Sequence, residues 1–407
     1  MQFGVRFPVE QRWLTLWAAM LGFLLDAMDV LLYVFALQAL RVEFSLSNAQ
    51  AGQVSSITLL ASAAGGIIAG ILSDRFGRRR MLIYTILLYS FASAGTALST
   101  GLVSLLFWRA LVGLGLGGEW SAGATLVAET WPAEHRGKAI GFMQSGWALG
   151  YMLAAILTAL ILPRFGWRAL FLAGILPALL TILIRRKVEE PLIWREKKTD
   201  GRILDIFRPP LGRRTLLATA LATATLFAYW GLFTWLPGFL SAPKSGGGAG
   251  LGIVRTSAWI FTMQIGAFFG YLSFGVLADR FGRRPAFLIY VLTAAVLTPV
   301  YGLLPSWGYE SLLLFAGPLV GFFGTGFFAL FGSMLAELYP TPVRGAGQGF
   351  TYNFGRGLSA LAPYAIGAAA DRHGIGAALG INSAFFLIAA LLIFALPETR
   401  STELDNG

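Results

Sequence analysis

The sequence predicts an all-α membrane protein: twelve transmembrane helices in two pseudo-symmetric six-helix bundles. Three observations predict it. Hydrophobic residues make up 56% of the 407 and only 13% are charged. Apolar runs of roughly twenty residues, each long enough to cross hydrocarbon as a helix, follow one another almost without a break. The third observation is a repeat. Ala128-Glu129-Thr130-Trp131-Pro132, with Arg136-Gly137 and Gly141-Phe142 after it, returns at identical spacing as Ala336-Glu337-Leu338-Tyr339-Pro340, Arg344-Gly345 and Gly349-Phe350. A second phrase, Gly70 to Arg79, recurs as Gly275 to Arg284. Two copies of one half make the whole.

In chain order, Met1 to Arg12 is too polar for a secretory h-region, and the apolar run after it contains Asp26 and Asp29. That run is read as a retained helix near 13–38 rather than a cleaved signal. Spans follow near 49–72, 81–99, 102–128, 138–162 and 168–184, completing an N-terminal bundle over 1–184. The stretch 185–214, through Glu189-Glu190-Pro191 and Pro209-Pro210, is the one long charged segment and reads as a cytoplasmic linker, a surface helix plus coil. Spans near 215–240, 254–278, 285–304, 310–336, 347–370 and 375–396 make a second bundle over 215–398, before a cytoplasmic tail, 399–407. Gly246-Gly247-Gly248 lies between Lys244 and Gly252 without the Gly-Lys-Ser/Thr or preceding strand of a phosphate loop; a flexible outer loop is expected.

The formal charge of +11 would suggest nucleic acid in a soluble protein. Here the basic residues gather in loops on one side, ten of the 31 Lys and Arg in 185–214 alone, and read as topology signals. They place both termini in the cytoplasm and make the lipid bilayer, not nucleic acid, the partner. With no cysteine, and His135 and His373 both in loops, a hydrolytic or redox enzyme has nothing to work with. No cofactor and no metal are expected. A repeat of this kind in a membrane chain marks a transporter whose halves rock about a site at their interface.

Charge at the centre of a membrane helix costs roughly 2.5 to 3.5 kcal/mol, so ionisable residues there are functional candidates. Asp26 and Asp29, three apart, share one face of the first helix, about 10 to 20 Å from its outer end, and Arg109 on the fourth lies at a similar depth. Two carboxylates and a guanidinium at one level make a proton site, or else a static charge pair locking the two helices. Glu119, deeper on helix four, reads as a second relay or as a partner for an Arg of the inner mouth. Arg356 sits about 13 to 15 Å into the eleventh helix from the cytoplasm, with Asn353 one turn earlier on the same face. Its planar fork suits a carboxylate, whether a substrate's or one of the protein's own. Tyr33, Gln144, Tyr151, Tyr229, Trp230, Trp235, Gln264 and Tyr352 are candidates to line a cavity; Tyr352, Gln144 and Gln264 stand out because they interrupt apolar or small-residue helices. Asp74 and Asp279 can engage a helix N-terminus or a neighbouring Arg at the cytoplasmic mouth. Glu129 and Glu337 end their helices close to Arg136 and Arg344, which suits mirror-image salt bridges there.

The phrase Gly70-Ile71-Leu72-Ser73-Asp74-Arg75-Phe76-Gly77-Arg78-Arg79 resembles the signature loop of the major facilitator superfamily, and its recurrence around Asp279, Arg280 and Arg283 extends the resemblance over essentially the whole chain. The resemblance implies the major facilitator fold and a gating role for these loops. Leu25-Asp26-Ala27-Met28-Asp29 resembles the Asp-Gly-Phe-Asp of acid:proton symporters. Gly118-Glu119-Trp120 through Pro132, Gly166 to Phe171 and Gly349 to Gly355 are similar to the sialate:proton symporters, a group that includes lactate permeases. Two departures stand against a close match: the linker has no room for the two added helices of bacterial sialate transporters, and Ala218 to Trp235 lacks the Asn, His and Asp pattern of the lactate permeases. What is implied is a proton-coupled symporter, monomeric in the inner cell membrane, importing a small organic acid. Its rivals are a drug:proton antiporter, against which Gly146-Trp147 stands where Gly-Pro is expected, and a non-transporting sensor on a transporter scaffold.

Overall fold

The computed structural model describes residues 9–76, 78–118, 124, 127–128, 130–177, 179, 203–340 and 343–400. It is all-helical. The first bundle holds α1 (Val9–Phe44), α2 (Asn48–Phe76), α3 (Arg78–Thr96), α4 (Leu102–Leu116) and α5 (Arg136–Leu172). The second holds α6 (Leu211–Phe233), α7 (Leu236–Ser241), α8 (Ile253–Phe281), α9 (Arg283–Leu303), α10 (Leu313–Thr325), α11 (Ala329–Leu338), α12 (Arg344–Ser359), α13 (Leu361–His373), α14 (Ile375–Leu379) and α15 (Asn382–Leu392). Among the described residues eight helices are long and apolar enough to cross a membrane, and Ile83–Thr96 and Leu102–Leu116 are shorter apolar helices.

Helix boundaries depart from the expected spans where backbone chemistry intervenes. The predicted fifth and sixth spans are joined in α5, which turns at Gly166 with φ 74° and ψ 177°, a conformation open to a residue without Cβ. The seventh span divides because Pro237 has no N–H and its ring would meet the carbonyl of Phe233, where α6 stops. Pro363 stands in the same relation to Ser359, the last residue of α12, and divides the eleventh span. In the tenth, Gly324-Thr325-Gly326 leads into a 3-10 turn over Gly326–Phe328. Of the expected linker, 185–202 lies outside the described residues.

Helix α5 lies along α1 in its own bundle and along α8 of the other; α2 lies against α4 in its own and against α12 and α13 across the seam. These contacts are backbone-close. A Cβ on Gly275 of α8 would stand 2.5 Å from the Gly137 carbonyl oxygen of α5, and one on Gly52 of α2 would stand 2.4 Å from that of Pro363 in α13. Glycine is therefore required at both crossings for the halves to meet as they do.

Candidate functional site

At the end of the bundles where α5 starts and α8 stops, Glu337 gathers charge from both halves. Arg136, at the start of α5, donates from Nη1 to its Oε1 at 3.1 Å, and Arg283 of α9 donates from Nη2 at 2.9 Å. The Thr399 hydroxyl donates to its Oε2 at 2.7 Å. Arg283 also binds Asp279 at 2.6 Å, and Asp279 in turn accepts the Lys138 backbone N–H at 3.1 Å. Asp279 thus lies at the positive N-terminal end of α5, where a carboxylate is favoured. Of the four residues that the repeat brings to this mouth, Arg136 and Glu337 form an ion pair with each other. Arg344 turns its Nε back to the Ala336 carbonyl at 3.1 Å, as Arg136 does to Ala128 at 3.1 Å, so the repeat preserves the fold-back, and Arg136 also reaches across to Glu337. Arg280 is exposed, its guanidinium 5.3 Å from the Phe281 ring centroid, outside the network. The side chains of Asp74, Arg75, Arg78, Glu119 and Glu129, all singled out in the sequence, lie outside the described residues.

Inside the first bundle, Asp29 is wholly buried and Asp26 nearly so. Asp29 lies in the field of Arg109 from α4, with Ser93 of α3 beside it. Among the described residues no ion pair within 4 Å joins Asp29 to Arg109; the guanidinium lies over the Tyr33 ring, 5.2 Å from its centroid, with Nε and Nη1 unbonded. Buried charge held near its counter-charge, yet not locked to it, can change protonation without first breaking a bidentate pair.

On the seam, Arg356 is 9% exposed and lies over Tyr352, 5.0 Å from the ring centroid. Its Nη1 donates at 2.7 Å to the Ser62 hydroxyl of α2, in the opposite half, and its Nε has no partner. Asn353 donates its amide to the Gly349 carbonyl at 3.0 Å while its Oδ1 turns to the backbone of α2, where a Cβ on Gly66 would lie 2.8 Å away. Along the other seam, Gln144 of α5 donates to the Phe328 carbonyl at 3.4 Å and Trp147 donates to the Tyr229 hydroxyl. Phe23, Trp230 and Phe328 extend this aromatic cluster. Gln264 of α8 is buried with neither amide atom bonded, and Trp230 keeps a free buried N–H. Two of the candidate aromatics are tied to backbone: the Tyr33 hydroxyl donates to the Ala51 carbonyl at 2.8 Å and the Trp235 indole to that of Pro363 at 3.0 Å.

The opposite end carries a contact that sequence reasoning missed. Asp371, near the end of α13, accepts the backbone N–H groups of Asn48 and Ala49 at 3.2 and 3.1 Å and the Asn48 side-chain amide at 2.6 Å. The only signal in the chain was an Asp beside Arg372 at a helix end, which reads equally well as a loop charge. Both mouths are therefore bridged between halves, each by an aspartate of the second bundle set on a helix start of the first. Among the described residues no three His, Asp or Glu side chains gather as a metal site.

The family model described as Major Facilitator Superfamily matches residues 19–256 and 248–406. The cis,cis-muconate transport protein of Acinetobacter baylyi is 30% identical over 386 residues, 92% of this chain and 91% of that protein. The sialic acid transporter NanX of Escherichia coli is 27% identical over 388 residues, 94% of each. The solved xylose transporter XylE from E. coli matches with a TM-score of 0.75 at 20% identity, over 96% of this chain and 99% of that one, a likeness of fold.

Proposed function

Since the chain belongs to the Major Facilitator Superfamily, we propose that it is a proton-coupled symporter that imports a small organic anion by alternating access. Membership makes it a multi-pass membrane transporter for a metabolite and not an enzyme. The finer reading is supported above all by Arg356: a guanidinium buried on the seam between the bundles, stacked on Tyr352 and with Nε still to be satisfied. A carboxylate is the ligand that such a fork accepts best. Relatives named for muconate and sialic acid transport, both acids, agree with that chemistry.

In the cycle we propose, Asp26 or Asp29 takes a proton from outside, the carboxylate of the acid docks on Arg356 with Asn353 and Tyr352 beside it, and Gln144 and Gln264 orient the remainder. The neutralised assembly tolerates rocking to the inward-open form, because closure around paired charge costs less than closure around bare charge. Arg109 is the counter-charge nearest Asp29, and its movement between states changes the field at that carboxyl. The Lys and Arg bias sets both termini in the cytoplasm. The test is uptake into proteoliposomes under an inward proton gradient, with cis,cis-muconate, sialic acid, lactate, aromatic acids and sugar acids compared. Accumulation of one acid that collapses when the gradient is dissipated is the expected result; accumulation driven by the opposite gradient would replace symport with antiport.

A further inference from the structure

The Arg356 hydrogen bond crosses the molecule. Its acceptor, Ser62, lies some four turns into α2 from the outer end, about 20 Å at 1.5 Å per residue, so the bond sits at mid-membrane. It joins the half that holds Asp29 and Arg109 to the half that holds the anion fork. Both mouths are bridged in the same structure, at Asp371 outside and Glu337 inside. Closure therefore leaves the guanidinium hydrogen-bonded by the protein itself.

We propose that Ser62 is a positioning residue that stands in for the substrate carboxylate: its hydroxyl occupies Arg356 Nη1 when the carrier closes without an acid, and yields that nitrogen when an acid arrives. The inference rests on the reading of Arg356 as the anion site. Physically, a buried guanidinium without an acceptor opposes closure, and a hydroxyl supplies one acceptor where a carboxylate supplies two. Ser62 is thus good enough to permit the unloaded return step and weak enough to be displaced. A carboxylate at this position of α2 would hold Arg356 permanently. A purely apolar residue would leave it without an acceptor from the opposite half.

Small size also matters, because α2 approaches its neighbours closely around this point: a Cβ on Gly66, one turn on, would meet the Gly117 carbonyl at 2.7 Å. Ser62 and Ser55, two turns apart, lie on one face of α2, and both are buried. Ser55 is then a natural reporter of outer opening, since it lies between the Arg356 bond and the Asn48 latch. The chain has no cysteine of its own, so a single introduced thiol reports without background.

The experiment uses the full chain in liposomes and reads three quantities. The first needs no transported acid: the rate at which a polar maleimide labels Ser55→Cys, with Ser62 intact or as Ser62→Ala. Loss of the bond is expected to raise that rate on the order of tenfold, the scale of one charge-assisted hydrogen bond. The second and third are net uptake and one-for-one exchange of whichever acid in the panel above the intact protein accumulates. Ser62→Ala slows net uptake, which includes the unloaded return, about as much, and leaves exchange, which omits it, unchanged; Ser62→Thr, which keeps the hydroxyl, restores net uptake. Equal loss of exchange and net uptake, or labelling indifferent to Ser62→Ala, would overturn the proposal. Arg356→Gln separates the two readings: exchange at unaltered apparent affinity would remove the anion site itself, whereas labelling raised as in Ser62→Ala would still register the bond.

Discussion

A guanidinium in hydrocarbon must be satisfied, moved or discharged, and Arg keeps its charge, so only the first two remain. This makes Arg356 and Arg109 different tools. Arg356 makes one bond across the seam and has a free Nε; Arg109 makes none from Nε or Nη1 and lies inside one bundle over Tyr33. For Arg356→Gln, loss of one charge-assisted fork is expected to raise the apparent KM by on the order of tenfold to a hundredfold. Uptake measured against substrate concentration decides it. For Asp29→Asn, the buried carboxylate becomes a permanent neutral amide of nearly the same shape. Exchange should then survive and gradient-driven accumulation disappear, as counterflow and net uptake in the same vesicles will show. Retained accumulation in Asp29→Asn would move the proton to Asp26 or elsewhere.

At the scale of elements, close helix crossings fall into two kinds that the same substitution separates. Gly275 packs α8 on α5 across the halves, while Gly150 packs α5 on α1 within one bundle, where a Cβ would stand 2.1 Å from the Leu24 carbonyl oxygen. Added methyls of this sort typically cost about 1 to 3 kcal/mol in a packed interior. Gly150→Ala strains every conformation and should lower the melting temperature. Gly275→Ala strains only the form in which the inner mouth is shut, so melting should change little while outer labelling of Ser55→Cys falls; equal melting losses in both would mean that α5 and α8 never part. The apolar lengths of these helices were legible in the sequence because span length is a local property. The breaks at Pro237 and Pro363 were local too, and visible in principle from the carbonyl four residues back. What could not be read was partnership across the seam: Ser62 is a serine in a helix full of small residues, and nothing near it in the chain names Arg356. The Glu337 cluster was half legible: the repeat brought Glu337 and Arg136 to one mouth, but nothing in it showed that Arg283 shares the same carboxylate.

Across the whole molecule, the two mouths are shut by the same chemical device used in opposite senses. Asp279, near the end of α8, caps the start of α5 at one face, the inner one in the proposed topology; Asp371, near the end of α13, caps the start of α2 at the other. Each couples a second-bundle carboxylate to the positive end of a first-bundle helix, an interaction of about 1 kcal/mol at such partly exposed sites. Two weak latches suit a carrier better than one strong one, because alternating access needs each to release while the other holds, and differences of this size move populations severalfold. The expected outcome is a change of opposite sign. Asp371→Asn loosens the outer latch and should raise maleimide labelling of Ser55→Cys severalfold; Asp279→Asn loosens the inner one and should lower it, by letting the population drain to the inward-open form. The inner change should be the larger, since Asp279 also anchors Arg283 at 2.6 Å beside the buried Glu337. If both substitutions raise labelling, the mouths do not alternate, and the two halves loosen as one body instead of rocking about the seam.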